Sequence, residues 1–127
     1  MDGTVKYFTY DGSLSSERYY KDDKAVGIHK GYYSSGMLSS ECSYEDGEKD
    51  GICREYYEHG VVKEEQMYKN GNKDGLFKSY YENGVVKEEI RFKNGKKDGL
   101  NTRYNKNGNI QTQIYYEEDK FVAYKNY

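Results

Sequence analysis

Glycine returns in this chain with a fixed step of 24 residues, and that period constrains the fold more than any other feature. Gly3, Gly27, Gly51, Gly75 and Gly99 form one series, and Gly12, Gly36, Gly60, Gly84 and Gly108 form a second. Aromatic residues keep the same step: Phe8, Tyr32, Tyr56, Tyr80 and Tyr104, then Tyr20, Tyr44, Tyr68, Phe92 and Tyr116. Glu17, Glu41, Glu65 and Glu89 follow it as well, with Gln113 in the fifth copy. A fixed period of this length marks a repeat architecture, in which each unit buries its surface against the next. The 127 residues therefore read as one array, with repeats at 3–26, 27–50, 51–74, 75–98 and 99–122 and a partial sixth at 123–127.

Each copy reads as two strands. In the fourth, Leu76–Glu82 is an aromatic-rich run, Asn83-Gly84 follows, and Val85–Phe92 is a second run. Asn-Gly between such runs signals a hairpin, because a two-residue type I′ turn needs positive φ at both central positions. That turn places Glu82 opposite Val85, Tyr81 opposite Val86 and Lys78 opposite Glu89. The same arithmetic sets Lys6 against Glu17, Lys30 against Glu41 and Arg54 against Glu65. In the fifth copy the pair becomes Thr102 against Gln113, so both charges vanish together, which supports the register. Facing opposite charges contribute about 0.2–1 kcal/mol each. Farther out, Tyr44, Tyr68, Phe92 and Tyr116 lie opposite Gly27, Gly51, Gly75 and Gly99, and a ring laid across a bare glycine repairs a weak strand position. Helix is excluded, because the glycines recur too often for stable turns and no 3.6-residue stripe survives them. The longer connection, Lys93–Asp98, leads into the next repeat.

Composition agrees with a thin structure. Only 35% of the residues are hydrophobic and 33% are charged, while 17 Tyr and 4 Phe are far too many for a disordered tail. Such a chain has no large aliphatic core and no deep catalytic pocket to offer. The net charge of -2, with Lys and Glu interleaved, argues against a nucleic-acid partner. No run approaches the ~18 apolar residues of a helical membrane span. Met1–Lys6 has no charged stretch followed by an apolar one, which sets the expectation of a cytoplasmic chain. An exported or cell-surface protein whose signal segment had been removed would read the same way.

Candidate chemistry is sparse. His29 sits mid-strand and His59 replaces Asn before Gly60, and both read as solvated substitutions with no second ligand at metal spacing. Ser34-Ser35 and Ser39-Ser40 flank a turn without a histidine partner. Glu64-Glu65 and Glu88-Glu89 point to opposite sheet faces, so neither pair can converge on one bond. The acidic turns Asp46–Asp50 and Asn70–Asp74 lack the alternate-ligand spacing of a calcium loop. No catalytic, cofactor or metal residue is expected. Cys42 and Cys53 fall opposite each other on one face if the connection between them is symmetric. The favoured reading is a reduced pair serving as small apolar residues. The alternative is a bridge, which would point to an exported protein.

The chain resembles the MORN repeat, in its bacterial second variant. The match is closest in Gly51–Asp74 and Gly75–Asp98, through Tyr80-Tyr81, Asn83-Gly84, Glu89, Phe92, Asn94-Gly95 and Asp98-Gly99. The first copy departs in Asp11-Gly12 and Asp23, and the fifth in Asn105 and Asp119. The resemblance implies an all-β, elongated, single-layer antiparallel sheet of consecutive hairpins, serving as a non-enzymatic interaction module. Many bacterial members are classed as antitoxins of the YwqK type, which implies a toxin as protein partner. Some eukaryotic members are linked to lipids, though no residue here supports a membrane contact.

The expected partner surface is the ladder Tyr32, Tyr56, Tyr80 and Tyr104, since Tyr offers rigid amphipathic area. The two glycine series have a structural role: Gly27, Gly51, Gly75 and Gly99 in strands, Gly36, Gly60, Gly84 and Gly108 in turns. Exposed end strands leave room for a homodimer. A second expectation is a surface-exposed repeat fragment of a longer exported protein, binding a host, lipid or self partner.

Overall fold

The computed structural model describes residues 2–127 and contains, among them, thirteen strands and no helix. The first seven are β1 (Gly3–Phe8), β2 (Leu14–Lys21), β3 (Lys24–Ala25), β4 (Gly27–Tyr32), β5 (Leu38–Glu45), β6 (Glu48–Tyr56) and β7 (Val62–Lys69). They are followed by β8 (Asn72–Tyr80), β9 (Val86–Lys93), β10 (Lys96–Lys97), β11 (Gly99–Tyr104), β12 (Ile110–Glu117) and β13 (Lys120–Asn126). All join one open antiparallel sheet in the order β1-β2-β4-β5-β6-β7-β8-β9-β11-β12-β13, with β3 on β2 and β10 on β9. At ~4.8 Å per strand, this path is on the order of 50 Å long. The single-layer antiparallel sheet that the resemblance implies is what forms.

The turn at Asn83-Gly84 is not the type I′ turn expected of it. Around Asn83-Gly84, Gly84 N–H donates to the Tyr81 carbonyl at 2.9 Å and Tyr81 N–H to the Val85 carbonyl at 2.8 Å. Gly84 has φ +87°, whereas Asn83 keeps negative φ and its Oδ1 accepts from Val85 N–H at 3.0 Å. This is a type I turn followed by a left-handed glycine, a three-residue loop rather than the two-residue type I′ turn. Tyr80, not Tyr81, faces Val86, and Ser79 faces Glu88, so Lys87 is an unpaired bulge. The extra loop residue and the extra bulge residue cancel. Lys78 therefore meets Glu89 as the simpler turn required. The type I′ turn closes the other connection: Lys93 pairs Lys96, with Asn94 at φ 50° and Gly95 at φ 84°.

The opening glycines do face their aromatic partners in register, Gly75 opposite Phe92 for example. Their reason differs from the covering ring that the sequence implied. Gly75 has φ +100°, and a Cβ there would meet Met67 Cβ at 3.2 Å, from the strand before it. Glycine is required by the bend and by that close approach.

No hydrophobic residue among the described ones is buried. The accessible surface of 8252 Å² exceeds the about 7,000 Å² of a compact monomer of this mass. What holds the sheet must therefore lie between neighbouring strands.

Candidate interaction surface

One face of the sheet carries a continuous row that crosses all eleven long strands. Lys6, Glu17, Lys30, Glu41, Arg54, Glu65, Lys78 and Glu89 face one another in succession, strand by strand. Thr102, Gln113 and Lys125 continue the row. Among the described residues, Arg54 alone of the cations in this row closes ion pairs, at 2.8 Å to Glu65 and 3.5 Å to Glu41. In the fifth repeat the missing charges are replaced by a neutral bond, Gln113 Nε2 to Thr102 Oγ1 at 3.3 Å.

The ladder Tyr32, Tyr56, Tyr80 and Tyr104 lies on this face, beside the row. Each hydroxyl donates to the glutamate of the preceding repeat: Tyr32 to Glu17 at 2.8 Å, Tyr56 to Glu41 at 2.5 Å, Tyr80 to Glu65 at 2.6 Å and Tyr104 to Glu89 at 2.5 Å. Tyr127 does the same to Gln113. The second tyrosine of each pair reaches the opposite way. Tyr57 donates to the Tyr80 carbonyl and Tyr81 to the Tyr104 carbonyl, both at 2.7 Å, and Tyr33 to the Tyr56 carbonyl. The pairs Tyr32-Tyr33, Tyr56-Tyr57 and Tyr80-Tyr81 thus each bond backwards to a side chain and forwards to the backbone. Neither bond was read from the sequence, although the constant 15-residue offset between Tyr and Glu was there to see.

These bonds leave an electrostatic signature. The hydrogen bond to Glu17 and partial burial push the Tyr32 hydroxyl up to about 12. For Tyr56 and Tyr80, partial burial leads and the bonds to Glu41 and Glu65 add to it, again giving about 12. The bond to Glu89, followed by burial, raises Tyr104. Burial works to raise the Glu65 carboxyl, but the bonds from Tyr80 and Arg54 outweigh it and hold it below its ordinary value. The rings are half-buried and held in fixed positions.

The opposite face is chemically different. Lys49, Lys73 and Lys97 each place the ammonium over the ring one repeat on, Tyr68, Phe92 and Tyr116, at 4.9–5.1 Å. Shallow grooves lie along this face. One of 450 Å³ runs past Arg18, His29 and Tyr44, and a second of 250 Å³ past Tyr44, Glu55, Glu64 and Gln66.

His29 is not a solvated substitution. It is half-buried, its Nε2 lies 2.9 Å from the Tyr19 carbonyl, and its ring packs on Tyr44 at 4.4 Å. His59 is exposed and its Nε2 donates to the Glu82 carbonyl at 3.0 Å, as Asn83 does to Lys106 one repeat later. Cys42 and Cys53 do face each other. They are bonded as a disulfide with Cα atoms 4.0 Å apart, against the favoured reading of a reduced pair. Among the described residues, no group of three or more His, Cys, Asp or Glu is arranged to hold a metal ion.

No curated protein matches the chain. The model of the MORN repeat variant matches it five times, over residues 1–22, 25–46, 49–70, 73–94 and 97–118. Each match begins just ahead of an opening glycine and ends in the second turn, so it contains one ladder glutamate or its Gln113 replacement, and the three central matches also contain the pairs Tyr32-Tyr33, Tyr56-Tyr57 and Tyr80-Tyr81. With five copies spanning most of its length, the chain belongs to the MORN repeat family, in its MORN_2 variant.

Proposed function

We propose that this chain is a non-enzymatic interaction array that binds a protein partner along the face bearing Tyr32, Tyr56, Tyr80 and Tyr104. Repeats of this family generally serve in protein or membrane interaction and are generally not enzymes. The observation that carries the reading is the fixed ladder itself. Four rings at a constant spacing are held by glutamates of neighbouring repeats, so little side-chain freedom is lost when a partner lies across them. The most concrete form of this reading is antitoxin-like, with a toxin as the partner.

Photo-crosslinking tests it. A benzoylphenylalanine at Lys78, within the charged row, should capture one protein in the source cell. The same group at Phe77, on the other face, should not. Expression of the captured protein alone should arrest growth, and co-expression of this chain should restore it. Equal capture from both faces would overturn the choice of face. Growth unaffected by the captured protein would overturn the antitoxin form.

The Cys42–Cys53 bond favours a second reading, a surface-exposed array in an oxidising compartment. A reduced pair in protein isolated from its own cell under thiol-trapping conditions would count against it.

A further inference from the structure

We propose that the groove on the face opposite the tyrosine ladder binds arginine side chains of an extended partner segment, at Glu55, Glu64 and Gln66. The site goes beyond the proposed function, because it lies on the other side of the sheet and stands or falls separately.

Glu55 and Glu64 are direct cross-strand neighbours, one on β6 and one on β7. Like charges in that position repel, and among the described residues neither carboxylate has a hydrogen bond or ion pair in the structure. The two cations beside them are committed elsewhere. Arg54 is held on the far face by Glu65 and Glu41, and the Lys49 ammonium sits over the Tyr68 ring. The same groove is lined by Gln66, which is 6% exposed. Its Nε2 donates to the Met67 carbonyl at 2.8 Å, while its Oε1 is buried without a partner. Burying an acceptor unpaired is costly. Next in the row after Glu64 comes Ser79, 9% exposed, whose Oγ is also buried and unpaired, and then Glu88.

The five repeats supply an internal comparison. Positions equivalent to Glu55 are Tyr7, Gly31, Ser79 and Arg103, and positions equivalent to Glu64 are Ser16, Ser40, Glu88 and Thr112. The sheet forms with any of these, so the fold does not require the facing carboxylates. Two anionic acceptors at a shallow groove, whose lining also holds the buried, unpartnered Gln66 Oε1, suit a planar guanidinium, which offers five donors in a fixed fork. A lysine ammonium offers fewer donors in one plane and fits less well.

The test uses the full chain and fluorescent peptides of alternating Gly and Arg, Gly and Lys, or Gly and Glu, read by anisotropy at physiological salt. The Arg peptide should bind most tightly and the Glu peptide should not bind. Glu55→Gln with Glu64→Gln should weaken the Arg peptide about tenfold. Glu58→Gln with Glu82→Gln, which removes two exposed turn carboxylates, should change it by less than about twofold. The first pair relieves a repulsion, so its melting temperature should not fall, and loss of binding cannot be misfolding. Equal weakening by both pairs would show general attraction to an acidic chain and overturn the site. Equal affinity for Arg and Lys peptides would overturn the guanidinium assignment. Neither result bears on the tyrosine face.

Discussion

Tyr80 condenses the chemistry of the whole ladder. Its hydroxyl donates to Glu65, and the ring is half-buried beside the Arg54–Glu65 ion pair. A hydrogen bond to a charged group is worth more than a neutral one. Tyr80→Phe should therefore cost about 1–2 kcal/mol in urea denaturation. The raised hydroxyl gives a pH dependence with a definite sign. The folded value of about 12 lies above the ordinary 10.0, so this stabilisation is complete below pH 10.0 and lost as pH rises through about 12. Tyr32 and Tyr56 share that window. Alkaline titration of tyrosinate absorbance should show a late-ionising class that disappears in the Phe variants. Glu65 adds the opposite slope, since its lowered value gives stability present above 4.5 and lost on acidification below it. Gly75 is a different kind of residue, required for its backbone. Gly75→Ala should cost about 1–2 kcal/mol for the left-handed φ alone, read as a lower urea midpoint.

At the scale of the element, the hairpin was legible because charge reports register. Lys78 and Glu89, and the joint replacement by Thr102 and Gln113, locate the strands without reference to the turn. The turn itself was not legible from Asn-Gly, since both connections carry that dipeptide. What separates them is whether Asn takes positive φ, as Asn94 does, or keeps negative φ and caps the chain with its own Oδ1, as Asn83 does. The bulge at Lys87 hid the error by restoring the count. The tyrosine bonds escaped because a hydroxyl's partner depends on where the ring leans, which a strand diagram does not contain. Redox state also lay outside the sequence: facing cysteines are a matter of register, but their oxidation is set by surroundings. The Cys42–Cys53 bridge joins β5 to β6 across 11 residues. Reduction should add two hydrogens to the intact mass and lower stability by up to about 3 kcal/mol. An unchanged mass would show that the thiols are free.

As a whole molecule, the chain replaces a core with contacts between successive repeats. The charged row, the cation–ring contacts and both tyrosine bonds recur with the repeat and link nearest neighbours, so stability should be close to a sum over repeat junctions. An array lacking residues 75–98 should accordingly fold as a shorter sheet with a smaller urea m-value, whereas a single cooperative core would collapse on losing a central unit. The same architecture leaves two broad faces free, one with fixed tyrosines and one with grooves, which is the physical basis for reading the chain as an interaction array. The most direct test of this account is equilibrium urea denaturation of the chain with Tyr32, Tyr56, Tyr80 and Tyr104 all replaced by Phe. The ladder predicts a loss equal to the sum of the four single replacements, about 4–8 kcal/mol in total or outright unfolding. A quadruple variant as stable as the parent would show that the hydroxyl–glutamate bonds do not hold the sheet together.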